Sequence, residues 1–190
     1  DLNIEKYIEQ VKIKNKSGET IQKVGEDKKN QLLKIDVKRS EVNSTTITVT
    51  YGLKVKNIGE IPGYATKLID YIPENFKLVE DGVWSQDGNV AVSTSLEDKL
   101  LNPGESTVVN VTFEWNLSEG TVGSRVNEAK IATYTNKYNA VDLTEDNNDK
   151  EELLVAIKTG SEKVMYITIV LGFIAIVGIG TIFSKKIMKK

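Results

Sequence analysis

The twenty residues from Val164 to Phe183, VMYITIVLGFIAIVGIGTIF, carry no charge. As a helix rising about 1.5 Å per residue they span about 30 Å, the thickness of a bilayer's hydrocarbon core. A buried core helix is the competing assignment, but the run is long and is followed by SKKIMKK. The expectation is a single transmembrane helix over 164–184 with a basic tail at 185–190. Lys185, Lys186, Lys189 and Lys190 all lie beyond the run, and lysine excess marks the cytoplasmic end of a span. The preceding residues are therefore expected outside the cell, held by the cell membrane through one pass of the lipid bilayer. Removing the four tail lysines from 25 basic residues leaves 21 against 27 acidic ones, a net charge of −6. That balance argues against nucleic acid or anionic lipid as a partner of the outer part.

Cysteine and histidine are both absent. This excludes a disulfide framework, any metal site built on those residues and any catalytic triad that uses them. No catalytic residue, metal or cofactor is expected. An exported domain of this kind must be stable through packing alone, or through some other crosslink. The sequence has no initiator Met and no signal peptide, so residue 1 is read as an internal position of a longer precursor with upstream domains.

Residues 1–141 alternate in the manner of a sheet protein. In TTITVTYGLKVKN, Ile47, Val49, Tyr51, Leu53 and Val55 share one face, with Thr46, Thr48, Thr50, Lys54 and Lys56 on the other. STVVNVTFEWNL repeats the pattern through Val109, Val111, Phe113 and Trp115. Further strands are expected at 2–8, 32–37, 66–72, 76–79, 89–92 and 126–134. Between them lie turn sequences such as Asp81-Gly82, Asp87-Gly88 and Asn102-Pro103-Gly104. Many short strands with regular turns and no amphipathic helix indicate an all-β fold, an Ig-like β-sandwich ahead of the membrane helix. The polar stretch 17–30 is read as a long loop with room for one short strand. DLTEDNNDKEE, from Asp142, lacks the acid spacing and central Gly of a calcium loop, so 142–163 is read as an acidic linker.

Four motifs follow one another in a recognisable order: Asn57-Ile58-Gly59, Asp70-Tyr71-Ile72-Pro73, Pro103-Gly104-Glu105 and Asn127-Glu128-Ala129. Together they resemble the conserved Ig-like surface repeat of Gram-positive bacteria, the domain of unknown function eleven family. The opening DLNIEKYIEQV is similar to the leading strand that accompanies this module in clostridial surface proteins. Ile72 stands where that family usually has Leu, and Ile58 where Thr is common. The resemblance covers roughly residues 1–141 and implies a repeat or stalk module of a surface protein, not a catalyst.

Alternation also singles out three polar residues. Lys6 shares a face with Leu2, Ile4 and Ile8; Asp70 lies between Leu68 and Ile72; Asn127 shares a face with Ala129 and Ile131. Burial lowers a lysine's pKa and raises an aspartate's. A neutral Lys6 amine is then able to attack the Asn127 carboxamide while a protonated Asp70 polarises its carbonyl. The product is an intramolecular isopeptide bond between the first and last strands. Lys, Asn and an acid are also the set used in self-crosslinking Gram-positive pilin and adhesin domains, which this chain resembles in fold. In the alternative reading Lys6 snorkels from an edge, Asp70 caps the turn at Pro73 and Asn127 bonds to backbone.

Thr159-Gly160, ahead of the apolar run and lysine tail, is similar to the end of a Leu-Pro-x-Thr-Gly wall-sorting signal, which a sortase cuts between Thr and Gly. Ala156 and Ile157 stand where such a signal has Leu and Pro. A retained membrane anchor is therefore the first expectation, and a divergent sortase site with a wall-bound product is the second. The function expected is display: a stalk that holds adhesin-like domains off the membrane. The alternative is a module that itself binds glycan or matrix protein, with Trp84 as the candidate platform residue.

Overall fold

The computed structural model describes residues 1–141 and 146–158 in full, and the backbone of 166–170. In chain order the strands are β1 (Leu2–Asn15), β2 (Gly18–Lys23), β3 (Leu32–Lys38) and β4 (Thr46–Asn57). Next come β5 (Gly63–Tyr71), β6 (Phe76–Leu78), β7 (Ser85–Asp87) and β8 (Val90–Ser93). β9 (Ser106–Asn116), β10 (Gly123–Asn136), β11 (Asn148–Lys158) and β12 (Tyr166–Val170) complete the series. Helical geometry among the described residues is limited to two 3₁₀ segments, Glu26–Lys28 and Arg39–Ser44.

The strands form two sheets, ordered β2-β1-β4-β9-β6 and β12-β3-β11-β10-β5-β8-β7. Pairing is antiparallel except between β11 and β3, which run parallel. The core lies where alternation puts it. Ile47, Val49, Tyr51, Leu53 and Val55 of β4 are buried, and so are Val109, Val111, Phe113 and Trp115 of β9. The two sets face one another in register as Ile47 with Trp115, Val49 with Phe113 and Tyr51 with Val111. Tyr51 and Phe113 also meet edge to face, their centroids 6.2 Å apart, a favoured geometry for aromatic pairs.

β1 is longer than the alternation of 2–8 suggests. Its register to β4 shifts between Ile8 and Gln10, so the buried set changes phase from Leu2, Ile4, Lys6 and Ile8 to Val11 and Ile13. Gly52, on β4, is required by a close approach. A Cβ there would lie 2.3 Å from the ring of Tyr7, which packs against the glycine from β1. The stretch 17–30 holds β2 and one 3₁₀ turn, and β7 is a short strand that alternation did not show.

The boundary expected at 141/142 is corrected by β11. Residues 148–158, read as part of a linker, lie between β10 and β3 inside the larger sheet. The acidic surface positions mask the alternation of Glu151, Leu153 and Val155, all of which are buried. The lead into this strand also closes an open edge of the other sheet. Ile4 donates its N–H to the Asp146 carbonyl, and Lys6 donates its N–H to Asp149 Oδ2 at 2.7 Å.

Where the sequence reading has a helix from Val164, Tyr166–Val170 instead pairs antiparallel with β3. Ile167, Thr168, Ile169 and Val170 are β-branched, and an apolar segment of this kind satisfies its backbone on a free sheet edge as well as in a helix. Among the described residues no helix is long and apolar enough to cross a membrane. The rest of 164–184, the tail at 185–190 and the Thr159-Gly160 pair lie outside the described residues.

Candidate functional site

Three strands deliver one buried polar cluster. Alternation on β1 turns Lys6 inward from the smaller sheet, while β5 and β10 turn Asp70 and Asn127 inward from the larger one. β5 and β10 are neighbours, with Asp70 opposite Ala129 in register. Lys6, Asp70 and Asn127 are each 0% exposed, so the three residues chosen from the sequence do meet in the core.

The Asp70 carboxyl group joins the other two. Lys6 Nζ donates to its Oδ2, and Asn127 Nδ2 donates to its Oδ1 at 2.5 Å. Asn127 Nδ2 also donates to the Tyr71 carbonyl at 2.8 Å, whereas Asn127 Oδ1 is buried with no hydrogen-bond partner. Lys6 Nζ lies 4.5 Å from the centre of the Tyr51 ring, whose hydroxyl is likewise buried without a partner. Burial pushes the Lys6 ammonium pKa down, against the pull of Asp70, and pushes the Asp70 carboxyl up, against the pull of Lys6. Both shifts favour the uncharged pair, a free amine beside a protonated acid.

Placement differs from expectation in one respect. Asn127 is not on the last strand of the sandwich, because β11 follows β10. Lys6 and Asn127 therefore approach one another across the core from opposite sheets. Of the alternative reading, the bond from Asn127 to backbone is present, at the Tyr71 carbonyl, but Lys6 does not snorkel, being buried to its tip, and Asp70 pairs with Lys6 and Asn127.

Sequence reasoning missed the groups around this cluster. Glu151 sits opposite Asn127 in the β10–β11 register and is 4% exposed. Asp149, two residues before it on β11, binds the Lys6 backbone N–H and the Lys29 ammonium at 2.9 Å. The inward period-two phase of Glu151, Leu153 and Val155 is the signal that would have found them.

Trp84 does not form a ligand platform. It is 3% exposed, and its indole N–H donates to the Asn110 carbonyl at 2.7 Å. The Asn-x-Gly motif is likewise structural. Asn57 is fully buried, its Nδ2 donating to the Ile61 and Leu101 carbonyls at 2.8 Å each, while its Oδ1 accepts the Gly59 N–H. Ala156, Ile157 and Lys158, the described part of the sorting-signal match, are paired with β3 through Asp36, Val37 and Lys38. Among the described residues no group of acidic side chains is arranged to hold a metal ion.

No family model matches the chain, and no curated protein matches it. Among solved structures, the collagen-binding domain of a Staphylococcus aureus adhesin is similar at 9% identity, covering 65% of this chain and 96% of that one, with a TM-score of 0.36. A type I cohesin of Pseudobacteroides cellulosolvens is similar at 10% identity, covering 70% of this chain and 96% of that one, with a TM-score of 0.37. An Actinomyces fimbrial adhesin is similar at 13% identity, covering 63% and 55% of the two chains, with a TM-score of 0.34. These are loose likenesses, and the two-sheet, all-β architecture rests on its own strand pairing.

Proposed function

We propose that the chain is a non-catalytic, Ig-like display module of a bacterial cell surface, closed by an isopeptide bond between Lys6 and Asn127. The observation that carries the reading is the sharing of one buried carboxyl group by a lysine and an asparagine from opposite sheets. An ordinary core gains little from a buried ion pair, which is commonly no more stabilising than apolar packing of the same volume. A ligation site, by contrast, needs this set of groups in a dry place.

The step balances without a co-reactant. Lys6 passes one proton to Asp70, and the free amine attacks Cγ of Asn127. Rotation of the carboxamide exchanges Nδ2 for the unpartnered Oδ1 at Asp70, whose proton then polarises the carbonyl. The new Nζ–Cγ bond forms as the Cγ–Nδ2 bond breaks. The attacking nitrogen gives up a second proton by way of Asp70, the departing nitrogen takes one up, and ammonia leaves. Asp70 ends as the neutral acid.

Such a bond makes the sandwich resist stretching, which suits a display module that carries mechanical load. The apolar sequence at 164–183 and the lysines after it favour anchoring in the bilayer, a reading that requires Tyr166–Val170 to leave the sheet edge on which they pair with β3. Strand pairing of Ala156–Lys158 supports retention over sortase cleavage. The glycan or matrix-binding alternative loses its candidate residue with the burial of Trp84.

Pulling the full chain from residue 1 and residue 158 tests the mechanical role. With the bond in place the segment between Lys6 and Asn127 stays closed, and the released contour falls short by roughly 40 nm at about 3.5 Å per residue. Release of the whole length would exclude the stalk as described. Host-envelope fractionation tests the anchor: detergent, not wall digestion, is expected to release a chain that still ends at Lys190.

A further inference from the structure

The two ends of Lys6 are held by two carboxyl groups that lie in one row of the larger sheet. Asp149 of β11 is opposite Ala129 of β10, and Ala129 is opposite Asp70 of β5. The outer members of such a row are two strand spacings apart, about 10 Å. Asp70 takes the Lys6 ammonium, and Asp149 Oδ2 takes the Lys6 backbone N–H at 2.7 Å. β1 needs this second hold. β2 covers its outer edge only from Gln10 onward, and among the described residues no strand pairs with that edge at Ile4 or Lys6. Ile4 is fastened there by the Asp146 carbonyl at 3.2 Å, and Lys6 by Asp149. Asp149 is itself fixed: its Oδ2 also takes the Lys29 ammonium at 2.9 Å, and its Oδ1 takes the Lys150 N–H at 2.9 Å. Glu151, whose carboxyl burial raises to about 7, is committed elsewhere, to the Asn30 N–H at 2.9 Å.

We propose that Asp149 is a positioning residue for the ligation, its carboxylate holding the Lys6 main chain against the larger sheet so that the amine is presented to Asn127. This rests on the reading of Lys6, Asp70 and Asn127 as a ligation site. Lys6 is fully buried and its Nζ sits over the Tyr51 ring, so a shift of its backbone is passed on to the amine. The same strand places the other partner. β11 pairs with β10 through Asn127, two residues from Ala129, so one strand sets the position of both reacting groups. A misplacement of about 1 Å between nucleophile and electrophile is enough to cost up to about a hundredfold in rate. The hold works through geometry and not through charge. The Asp149 charge favours the Lys6 ammonium, which opposes release of the amine, so on charge alone the residue slows the reaction. The two effects therefore have opposite signs when Asp149 is replaced.

The test uses full chain dissolved from inclusion bodies in urea, shown by mass to be unligated, and refolded in detergent at one fixed pH. Samples quenched over time are weighed intact to follow the loss of about 17 Da that accompanies ammonia release. Asp149→Ala is expected to ligate about tenfold more slowly than the unaltered chain. Asp149→Asn keeps an oxygen for the Lys6 N–H and loses the charge, and is expected to recover the rate. Asp149→Glu keeps the charge but moves it by one methylene, and is expected to be slow; it serves in place of Asp149→Ala if circular dichroism shows that variant unfolded. Loss of the Lys29 ion pair is common to the Ala and Asn variants, so a merely structural role slows both alike. If folded Asp149→Ala, or Asp149→Glu in its place, ligates as fast as the unaltered chain, the proposal for Asp149 is overturned and the ligation site stands. The same holds if Asp149→Asn is as slow as Asp149→Ala. If the unaltered chain loses no mass, both are overturned.

Discussion

Lys6 and Asn127, 121 positions apart in the chain, bind the two oxygens of a single carboxyl group inside the sandwich. Each comes from a different sheet, and neither has any exposed surface. In an uncrosslinked protein this arrangement is costly, because a lysine and an aspartate must give up hydration with few compensating partners. The orphaned Asn127 Oδ1 and Tyr51 hydroxyl show that the cluster is not a saturated hydrogen-bond network. The proposed bond would remove the charge problem altogether, leaving an amide beside a neutral acid.

Stability should depend on the bond. Asn127→Ala removes the electrophile and Lys6→Ala the nucleophile, so neither variant crosslinks. By analogy with a crosslink that closes a loop of this size, each is expected to lose about 5 kcal/mol. Chemical denaturation of the variants beside the unaltered chain measures this. Equal midpoints would show that no covalent closure is lost.

The contact between Tyr7 and Gly52 gives an independent test of the β1–β4 register. Gly52→Ala drives a methyl group into the Tyr7 ring, and the ring must leave its position. A cost of about 1–3 kcal/mol is expected, as for other overpacking changes. In a double-mutant cycle with Tyr7→Ala, most of that cost should disappear, since the clash is with the ring itself. An additive cycle would mean that the two residues do not touch.

Glu151 also makes fold stability depend on pH. Its folded pKa of about 7 lies above the ordinary 4.5, so between those values the folded chain holds a proton that the unfolded chain has released. Stability from this group is therefore highest below pH 4.5, falls as pH rises through the window and levels off above pH 7. The fall should be roughly 2–3 kcal/mol, and Glu151→Gln should remove it. Thermal unfolding of both proteins from pH 5 to pH 8 separates this contribution from those of other groups, which the two share.

Much of this architecture was legible because period two is a strong signal in strands buried on one face. β4 and β9 are the clearest cases, and the same logic brought Lys6, Asp70 and Asn127 together before any contact was known. It failed where a second pattern lay over it. On β1 the bulge after Ile8 reverses the phase, so a strict period-two count puts the buried Val11 and Ile13 on the outer face. On β11 the charged residues around Glu151 resemble a solvated linker, although the strand pairs on both sides. β7, at three exposed residues, has too little pattern to be read. Trp84 illustrates a different limit: sequence reveals an aromatic residue before a loop, but only the fold shows its indole turned in toward Asn110. At Tyr166–Val170 the composition suits both a sheet edge and a membrane helix, and local sequence does not choose between them.

The most direct test is the intact mass of the folded, purified chain, followed by protease digestion and fragmentation of its peptides. The account expects a deficit of about 17 Da from the sequence mass, one ammonia, and a branched peptide joining Lys6 to Asn127. The deficit should vanish in Lys6→Ala and in Asn127→Ala. A mass equal to that of the full sequence, with the Lys6 and Asn127 peptides released separately, would contradict it.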